Sequence, residues 1–175
     1  MTSLPFAAFL FIAPMSAPAP APAQTPVAPS VPVIEYSDAY QTRAKIHKIG
    51  SFAMLPLAGA EYLLGTSLYN NGGDGTKSAH IAVGVGISSL FAVNTVTGLW
   101  NLYDARHDPN GRTKRWAHAL LMLTADAGFV ATLANAPGGG NRPGTTTSSR
   151  DTHRTLALGS LAVGTVGYLI MLIGK

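Results

Sequence analysis

Four of the five histidines stand at similar intervals along the chain, and each one lies at the start of a long apolar segment. The four are His47, His80, His118 and His153, which are 33, 38 and 35 residues apart. Imidazole is the side chain that most often ligates metals in proteins, so this regular series indicates metal chemistry. The fifth, His107, lies in a polar connection, and we interpret it as a solvated loop residue.

The apolar segments predict the elements that carry these histidines. They cover residues 46–69, 80–103, 116–134 and 155–173. Each has roughly the 20 residues that a helix needs to cross the hydrocarbon layer, and the turn-forming stretches between them make neighbouring helices antiparallel. We therefore expect an all-α membrane protein, a four-transmembrane-helix bundle with up-down-up-down topology.

The composition supports a membrane environment and excludes several functions. Only 11% of the residues are charged and 47% are apolar, whereas soluble domains carry about 25% charged residues. The absence of cysteine excludes disulfides, Cys-ligated zinc, iron–sulfur clusters and thioether-linked haem. The net charge of +4 arises from basic residues at the ends of the apolar segments, so we expect no nucleic acid partner.

This topology divides the four histidines into two pairs. Segments one and three start at one face of the membrane, which we call side A, and segments two and four start at the other, side B. His47 and His118 should therefore share a layer near side A, and His80 and His153 a layer near side B. Because alternate helices lie diagonally across such a bundle, the two imidazoles of each layer should face each other across the core.

Two opposed imidazoles suit the two axial positions of a haem iron. Bis-histidine ligation fills both positions and favours electron transfer over oxygen chemistry. We therefore expect two non-covalently bound haems, with His47 and His118 on one iron and His80 and His153 on the other. A single histidine at a membrane boundary is more often only a tolerated polar residue, so the joint pattern carries this interpretation.

Small residues within a few turns of the histidines could give a haem room. They are Gly50, Ser51, Ala58, Gly84, Ala157, Ser160 and Gly164. The third segment is less accommodating, because Leu121 and Met122 occupy the equivalent positions.

Two acidic residues lie deep within apolar segments. Glu61 is 14 residues after His47, about 21 Å further along a helix and near the side-B layer. Asp126 should lie about 12 Å beyond His118, near mid-membrane. A carboxyl in hydrocarbon is a candidate for proton transfer or for tuning a haem. A hydrogen bond between helices is the equally weighted alternative for Glu61.

The N-terminal region has the pattern of a targeting segment. Residues 1–23 fit a signal peptide, with cleavage after Ala23, although its start lacks Lys and Arg. Residues 24–42 form a Pro/Ala-rich linker, and residues 43–175 form the helical haem-binding domain. A cleaved signal peptide places side A outside the cytoplasm. In contrast, eight of the 12 Lys and Arg residues lie at side A, which places it inside.

One histidine per helix, paired first with third and second with fourth, resembles the core of the cytochrome b561 family of transmembrane di-haem electron carriers. The resemblance covers residues 43–173 and includes the stretch Lys-Ile-His-Lys-Ile-Gly at residues 45–50. It implies two b haems and electron passage across the membrane. Well-known members have six spans, whereas four are expected here. The placement of Lys77 and Arg154 near the side-B histidines is not enough to extend ascorbate chemistry to this chain.

The first hypothesis is accordingly a b-type membrane cytochrome, acting as a transmembrane oxidoreductase or electron carrier surrounded by lipid. Its electron donor and acceptor could be a quinone, a small reductant or a redox protein. The second hypothesis is a haem-free membrane scaffold, a four-helix subunit of a larger complex. The histidine quartet separates the two, because a scaffold does not need it.

Overall fold

The computed structural model describes residues 34–137 and 147–173, which contain four helices and no strand. They are α1 (Asp38–Asn71), α2 (Asp74–Asp104), α3 (Arg112–Ala134) and α4 (Thr147–Leu172). The all-helical prediction is confirmed for these residues. The predicted signal peptide and the first part of the linker lie outside them.

The helices begin earlier than the apolar segments predict. α1 starts at Asp38, within the predicted linker, because the Ser37 hydroxyl caps it by accepting a hydrogen bond from the Tyr40 amide (3.3 Å). Helix α4 likewise starts at Thr147, eight residues before its apolar segment. Hydropathy identifies only the part of a helix that suits hydrocarbon, so it does not reveal helical first turns made of polar residues.

Glycines at the predicted turns allow the chain to reverse. Gly72 and Gly73 separate α1 from α2 with φ values of 70° and 107°, and Gly111 precedes α3 with a φ of 64°. Such positive φ values are readily adopted only by glycine. Close packing of α1 on α2 makes these helices one antiparallel hairpin, which we call hairpin one, and close packing of α3 on α4 makes a second, hairpin two.

Three helices are long and apolar enough to cross a membrane: α2, α3 and residues Ser149–Leu172 of α4. These properties are those of an integral membrane protein. α1 is the longest helix but is not among the three. It carries Pro56 and Glu61 in its middle, and both residues lower its hydropathy.

Each hairpin is antiparallel and closely packed, whereas the two hairpins contact each other much less. Arg43 at the start of α1 donates to Asn101 near the end of α2 (3.0 Å). Lys114 at the start of α3 donates to the carbonyl oxygen of Ile173, just after α4 (2.9 Å). Between the hairpins, α2 packs on α3 and α1 on α4, so α1 and α3 lie diagonally, as do α2 and α4.

The interior contains small and polar residues rather than a large apolar core. Among the described residues, no large side chain is fully buried. In the same part of the chain, the buried residues with polar side chains are Asn94, Thr97, Asp108, Thr132 and Ser160. Large apolar side chains instead cover the outer surface, where Leu63 is 68% exposed and Val130 is 66% exposed. An apolar exterior around a polar interior suits helices that lie in lipid.

Candidate functional site

The structure brings the four histidines together as two pairs. The ring centroids of His47 and His118 are 6.0 Å apart, with the ring planes 82° from parallel. Those of His80 and His153 are 6.2 Å apart, at 77°. These are the pairs that the order of the helices predicts, and each pair joins one histidine from each hairpin.

The Nδ1 atoms of three of these histidines make hydrogen bonds to main-chain carbonyl oxygens. The acceptor for His47 is Asn94 (3.0 Å), the acceptor for His118 is Gly167 (2.9 Å), and the acceptor for His153 is Thr132 (2.9 Å). A carbonyl oxygen only accepts, so Nδ1 must carry the proton. In the neutral imidazole, Nε2 is then left with its lone pair free for a metal ion.

The fourth histidine has a carboxyl partner. Nδ1 of His80 lies 3.0 Å from Oε1 of Glu61, within ion-pair distance, although the ring is not aligned for a regular hydrogen bond. Glu61 was predicted to lie near the side-B layer from its distance along α1, and it contacts a histidine of that layer. The sequence alone does not distinguish this contact from a hydrogen bond between helices.

All four partners occupy the same register. Each one stands 14 residues after a histidine of its own helix and contacts the histidine of the other helix in the same hairpin. Glu61 follows His47, Asn94 follows His80, Thr132 follows His118, and Gly167 follows His153. Fourteen residues are close to four helical turns, about 21 Å. Each partner therefore lies on nearly the same face of its helix as the histidine that precedes it in the sequence, but in the other layer. This repeat is visible in the sequence only once the helix pairs are known.

Glycines border two of the imidazoles in hairpin one. A methyl group added to Gly98 would lie 2.9 Å from Cε1 of His47, and one added to Gly65 would lie 3.4 Å from Cε1 of His80. Both glycines stand 18 residues after a histidine, one turn beyond the partner residues. The rings therefore pack directly against helix backbone, which limits their rotation.

Other small residues have a role that sequence reasoning missed. Gly50 and Gly84 were expected to make room for a haem, but they face protein side chains. Added methyl groups there would meet Asn94 (2.5 Å) and Glu61 (3.0 Å). In hairpin two, the glycine lies at the position of a histidine partner: Gly167 of α4 leaves space for the side chains of Leu121 and Met122 on α3. These two large residues of α3 therefore pack against α4.

Asp126 joins two helices away from the histidine pairs. Its Oδ2 accepts a hydrogen bond from the Thr95 hydroxyl of α2 (2.5 Å), and its Oδ1 is buried without a partner. The second predicted acidic residue therefore links the hairpins at the α2–α3 contact. Within the described residues, Asp126 makes no hydrogen bond or ion pair with a histidine.

A polar cluster lies at side A, outside the helices that suit hydrocarbon. The Tyr36 hydroxyl donates to Asp108, and the main-chain N–H of Asn110 donates to the same carboxylate (2.9 Å). These hydrogen bonds, first that from Tyr36, hold the pKa of Asp108 below its usual value. Burial, together with the hydrogen bond to Asp108, raises the pKa of Tyr36 to about 12. His107, predicted to be a solvated loop residue, is exposed nearby.

At side B, basic residues of α4 surround Tyr69 at the end of α1. Arg150 donates to the main-chain oxygen of Tyr69, and the guanidinium of Arg154 lies 4.6 Å from the centre of the Tyr69 ring. The Tyr69 hydroxyl donates to Asp151 (2.5 Å). Arg154, noted in the sequence for its place beside His153, is therefore engaged with an aromatic ring. Lys77 is exposed.

The histidine pairs fit a bis-histidine haem rather than a protein-caged metal ion. Within the described residues, no group of three or more His, Cys, Asp or Glu could hold a metal ion. Two metal–imidazole bonds of about 2.0 Å each, plus ~1 Å from each nitrogen to its ring centre, separate the centroids by roughly 6 Å. The observed separations of 6.0 and 6.2 Å agree with that span.

Comparison of the chain with protein-family models, with curated proteins and with solved structures gives no match. The interpretation of the site therefore depends on its own geometry.

Proposed function

We propose that the protein is a b-type di-haem membrane cytochrome that carries electrons by two bis-histidine haems. His47 and His118 would hold one haem, and His80 and His153 the other. The observation that carries the proposal is the occurrence of two histidine pairs whose rings are 6.0 and 6.2 Å apart. The Nδ1 partners add support, because ligating histidines commonly use the other ring nitrogen to contact an oxygen atom.

The residues of the chain prepare the imidazoles for this ligation. The carbonyl oxygens of Asn94, Gly167 and Thr132 fix the tautomer and orientation of three rings, and they raise the basicity of the ligating nitrogen. A haem held by these histidines would supply one-electron chemistry. The two layers would lie about 21 Å apart, because Glu61 contacts His80 and stands 14 residues after His47.

The fourth span in this proposal is α1. It packs along α2, which is apolar enough to cross a membrane, and it supplies His47 to the first pair. The result is a four-span up-down-up-down bundle similar to the di-haem core of the cytochrome b561 family. We place it in the bacterial inner membrane with side A outside the cytoplasm, as the pattern of a cleaved signal peptide favours.

A haem-free scaffold is the second candidate function. Glycines on outer faces favour it, since added methyl groups at Gly59, Gly86 and Gly159 would meet no atom within 4 Å. Such faces allow close approach of another membrane helix. A subunit of a larger complex could use them whether or not it binds haem.

The test is the spectrum and haem content of the full chain purified from membranes. We expect two non-covalent haems per chain, with the low-spin optical and electron paramagnetic resonance signals of bis-histidine iron. The absence of haem from protein made with sufficient haem supply would overturn the cytochrome proposal and favour the scaffold. One haem per chain would contradict the di-haem assignment.

A further inference from the structure

Among the described residues, the two histidine layers differ in one respect: a carboxyl group lies against a ring nitrogen in the side-B layer and not in the side-A layer. In the side-A layer, both Nδ1 atoms donate to neutral main-chain oxygens. In the side-B layer, His153 donates to the neutral carbonyl of Thr132, whereas His80 faces Glu61. At this shared register, three of the four partners are main-chain carbonyl oxygens, and the fourth is the carboxyl group of Glu61.

The position of Glu61 is built into the packing of hairpin one. Gly84 of α2 leaves the space that the carboxyl occupies, since an added methyl group would lie 3.0 Å from Oε1. Gly65 brings the backbone of α1 against the His80 ring, which holds that ring beside the carboxyl. The second oxygen, Oε2, is buried without a hydrogen-bond partner. A carboxyl in an apolar span is costly and is usually retained for function.

In the part of the chain that the structure describes, no Lys or Arg forms an ion pair with this carboxyl. Within the described residues, the ion-pair partner of Glu61 is His80 alone. Arg150 and Arg154, the arginines of side B that the structure describes, lie against the Tyr69 ring. Glu61 also differs from Asp126, whose Oδ2 accepts from the Thr95 hydroxyl between helices. Of the two carboxyl groups deep within apolar segments, that of Glu61 thus contacts a candidate haem ligand, and that of Asp126 forms a hydrogen bond between helices.

We propose that Glu61 is a positioning residue that gives the His80–His153 haem a lower reduction potential than the His47–His118 haem, an inference that rests on the proposed di-haem function. A carboxylate against Nδ1 increases the basicity of the ligating imidazole, and its negative charge stabilises ferric over ferrous iron. An electron would then move downhill from the side-B haem to the side-A haem, one iron being oxidised as the other is reduced.

The test is a redox titration of the full chain in detergent, followed optically and by electron paramagnetic resonance. The wild-type protein should show two unequal potentials, and the His153→Ala variant should remove the lower one. Glu61→Gln keeps the side-chain length but cannot carry the charge. It should raise the lower potential by about 59 mV, which corresponds to a tenfold change in the equilibrium constant of a one-electron reduction. The higher potential should stay unchanged.

Two further variants separate charge from packing. Glu61→Asp retains the charge and should leave the lower potential below that of Glu61→Gln. Gly86→Ala adds a methyl group to α2, the helix of His80, at a place where it meets no atom within 4 Å, so both potentials should stay as in the wild type. If Glu61→Gln and Glu61→Asp shift the potential equally, charge is not the cause.

The outcomes distinguish this inference from the function on which it rests. Two low-spin haems with equal wild-type potentials, or with potentials that Glu61→Gln does not change, would overturn the role of Glu61 and leave the cytochrome intact. If Glu61→Gln fails to retain the haem, the wild-type titration decides whether the two potentials are unequal, and equal potentials would overturn the role of Glu61. A protein without haem would instead overturn the proposed function itself.

Discussion

Gly98 of α2 lies directly against the imidazole of His47 on α1. A methyl group added at this glycine would be 2.9 Å from Cε1 of the ring, closer than side-chain carbon atoms normally approach. The ring is also held by the hydrogen bond from its Nδ1 to Asn94 (3.0 Å), so it cannot move aside without losing that bond. The helix backbone therefore fixes the position of a candidate ligand.

Gly98→Ala is expected to displace the His47 ring and to weaken the side-A haem alone. Overpacking of this kind costs about 1–3 kcal/mol, and we expect partial loss or conversion to high spin of one of two haem signals. Gly86→Ala is the matched control in the same helix, because an added methyl group there meets nothing within 4 Å. It also reports the gain in helix propensity. Equal effects of both variants on the haem would contradict the role of Gly98.

The pairing of the histidines followed from the sequence, but the contacts that orient them did not. Spacing places one histidine at the start of each apolar segment, and antiparallel threading then assigns the layers. Which atom each Nδ1 meets depends on how α2 is rotated against α1, and no periodicity in one helix fixes that rotation. The 14-residue register therefore became visible only when Asn94 and Glu61 were seen on the neighbouring helix.

The position of Glu61 was predictable because helix rise is constant, whereas the role of the small residues was not. Fourteen residues at 1.5 Å each place the carboxyl near the side-B layer, and its contact with His80 agrees. Gly50 and Gly84 looked like room for a haem, but the space beside a glycine can be filled by the facing helix. Here Asn94 and Glu61 fill it.

The Tyr36–Asp108 contact should make stability depend on pH at both extremes. Asp108 has a lowered pKa, so its contribution is complete above the ordinary value of 3.8 and is lost as the pH falls through the lower folded value. Tyr36 has a raised pKa, so its contribution is present below pH 10.0 and is lost as the pH rises through about 12. Tyr36→Phe should reduce stability at neutral pH and weaken the loss on acidification.

Two measurements check this behaviour in the detergent-solubilised protein. Thermal unfolding of the wild type and of Tyr36→Phe should differ most at neutral pH and converge in acid. The tyrosinate absorbance removed by Tyr36→Phe should be a component that develops near pH 12 rather than near 10.0. A component that titrates at the ordinary value would show that Tyr36 does not donate to Asp108.

The N-terminus offers a test of orientation. We expect cleavage after Ala23, because Ala21 and Ala23 are the small residues that signal peptidase requires. Intact mass measured on protein from its native membrane should lack residues 1–23. Retention of Met1 would contradict the signal peptide and would favour side A in the cytoplasm, in agreement with the distribution of basic residues.

The pairing of ligands can be tested by removing each histidine in turn. His47 faces His118 and His80 faces His153, so each haem should depend on one pair and be nearly indifferent to the other. His47→Ala and His118→Ala should deplete or convert to high spin the same haem signal. His80→Ala and His153→Ala should affect the second signal. Electron paramagnetic resonance separates the two low-spin species.

A double variant sharpens the test. Loss of one axial ligand already breaks bis-histidine coordination, so His47→Ala combined with His118→Ala should resemble either single change. His107→Ala is the control, because His107 is an exposed loop residue and should leave both signals unchanged. If His47→Ala and His80→Ala deplete the same signal, each haem would join the two histidines of one hairpin, and the diagonal pairing would be wrong. If none of the four variants alters a haem signal, the histidines are not ligands.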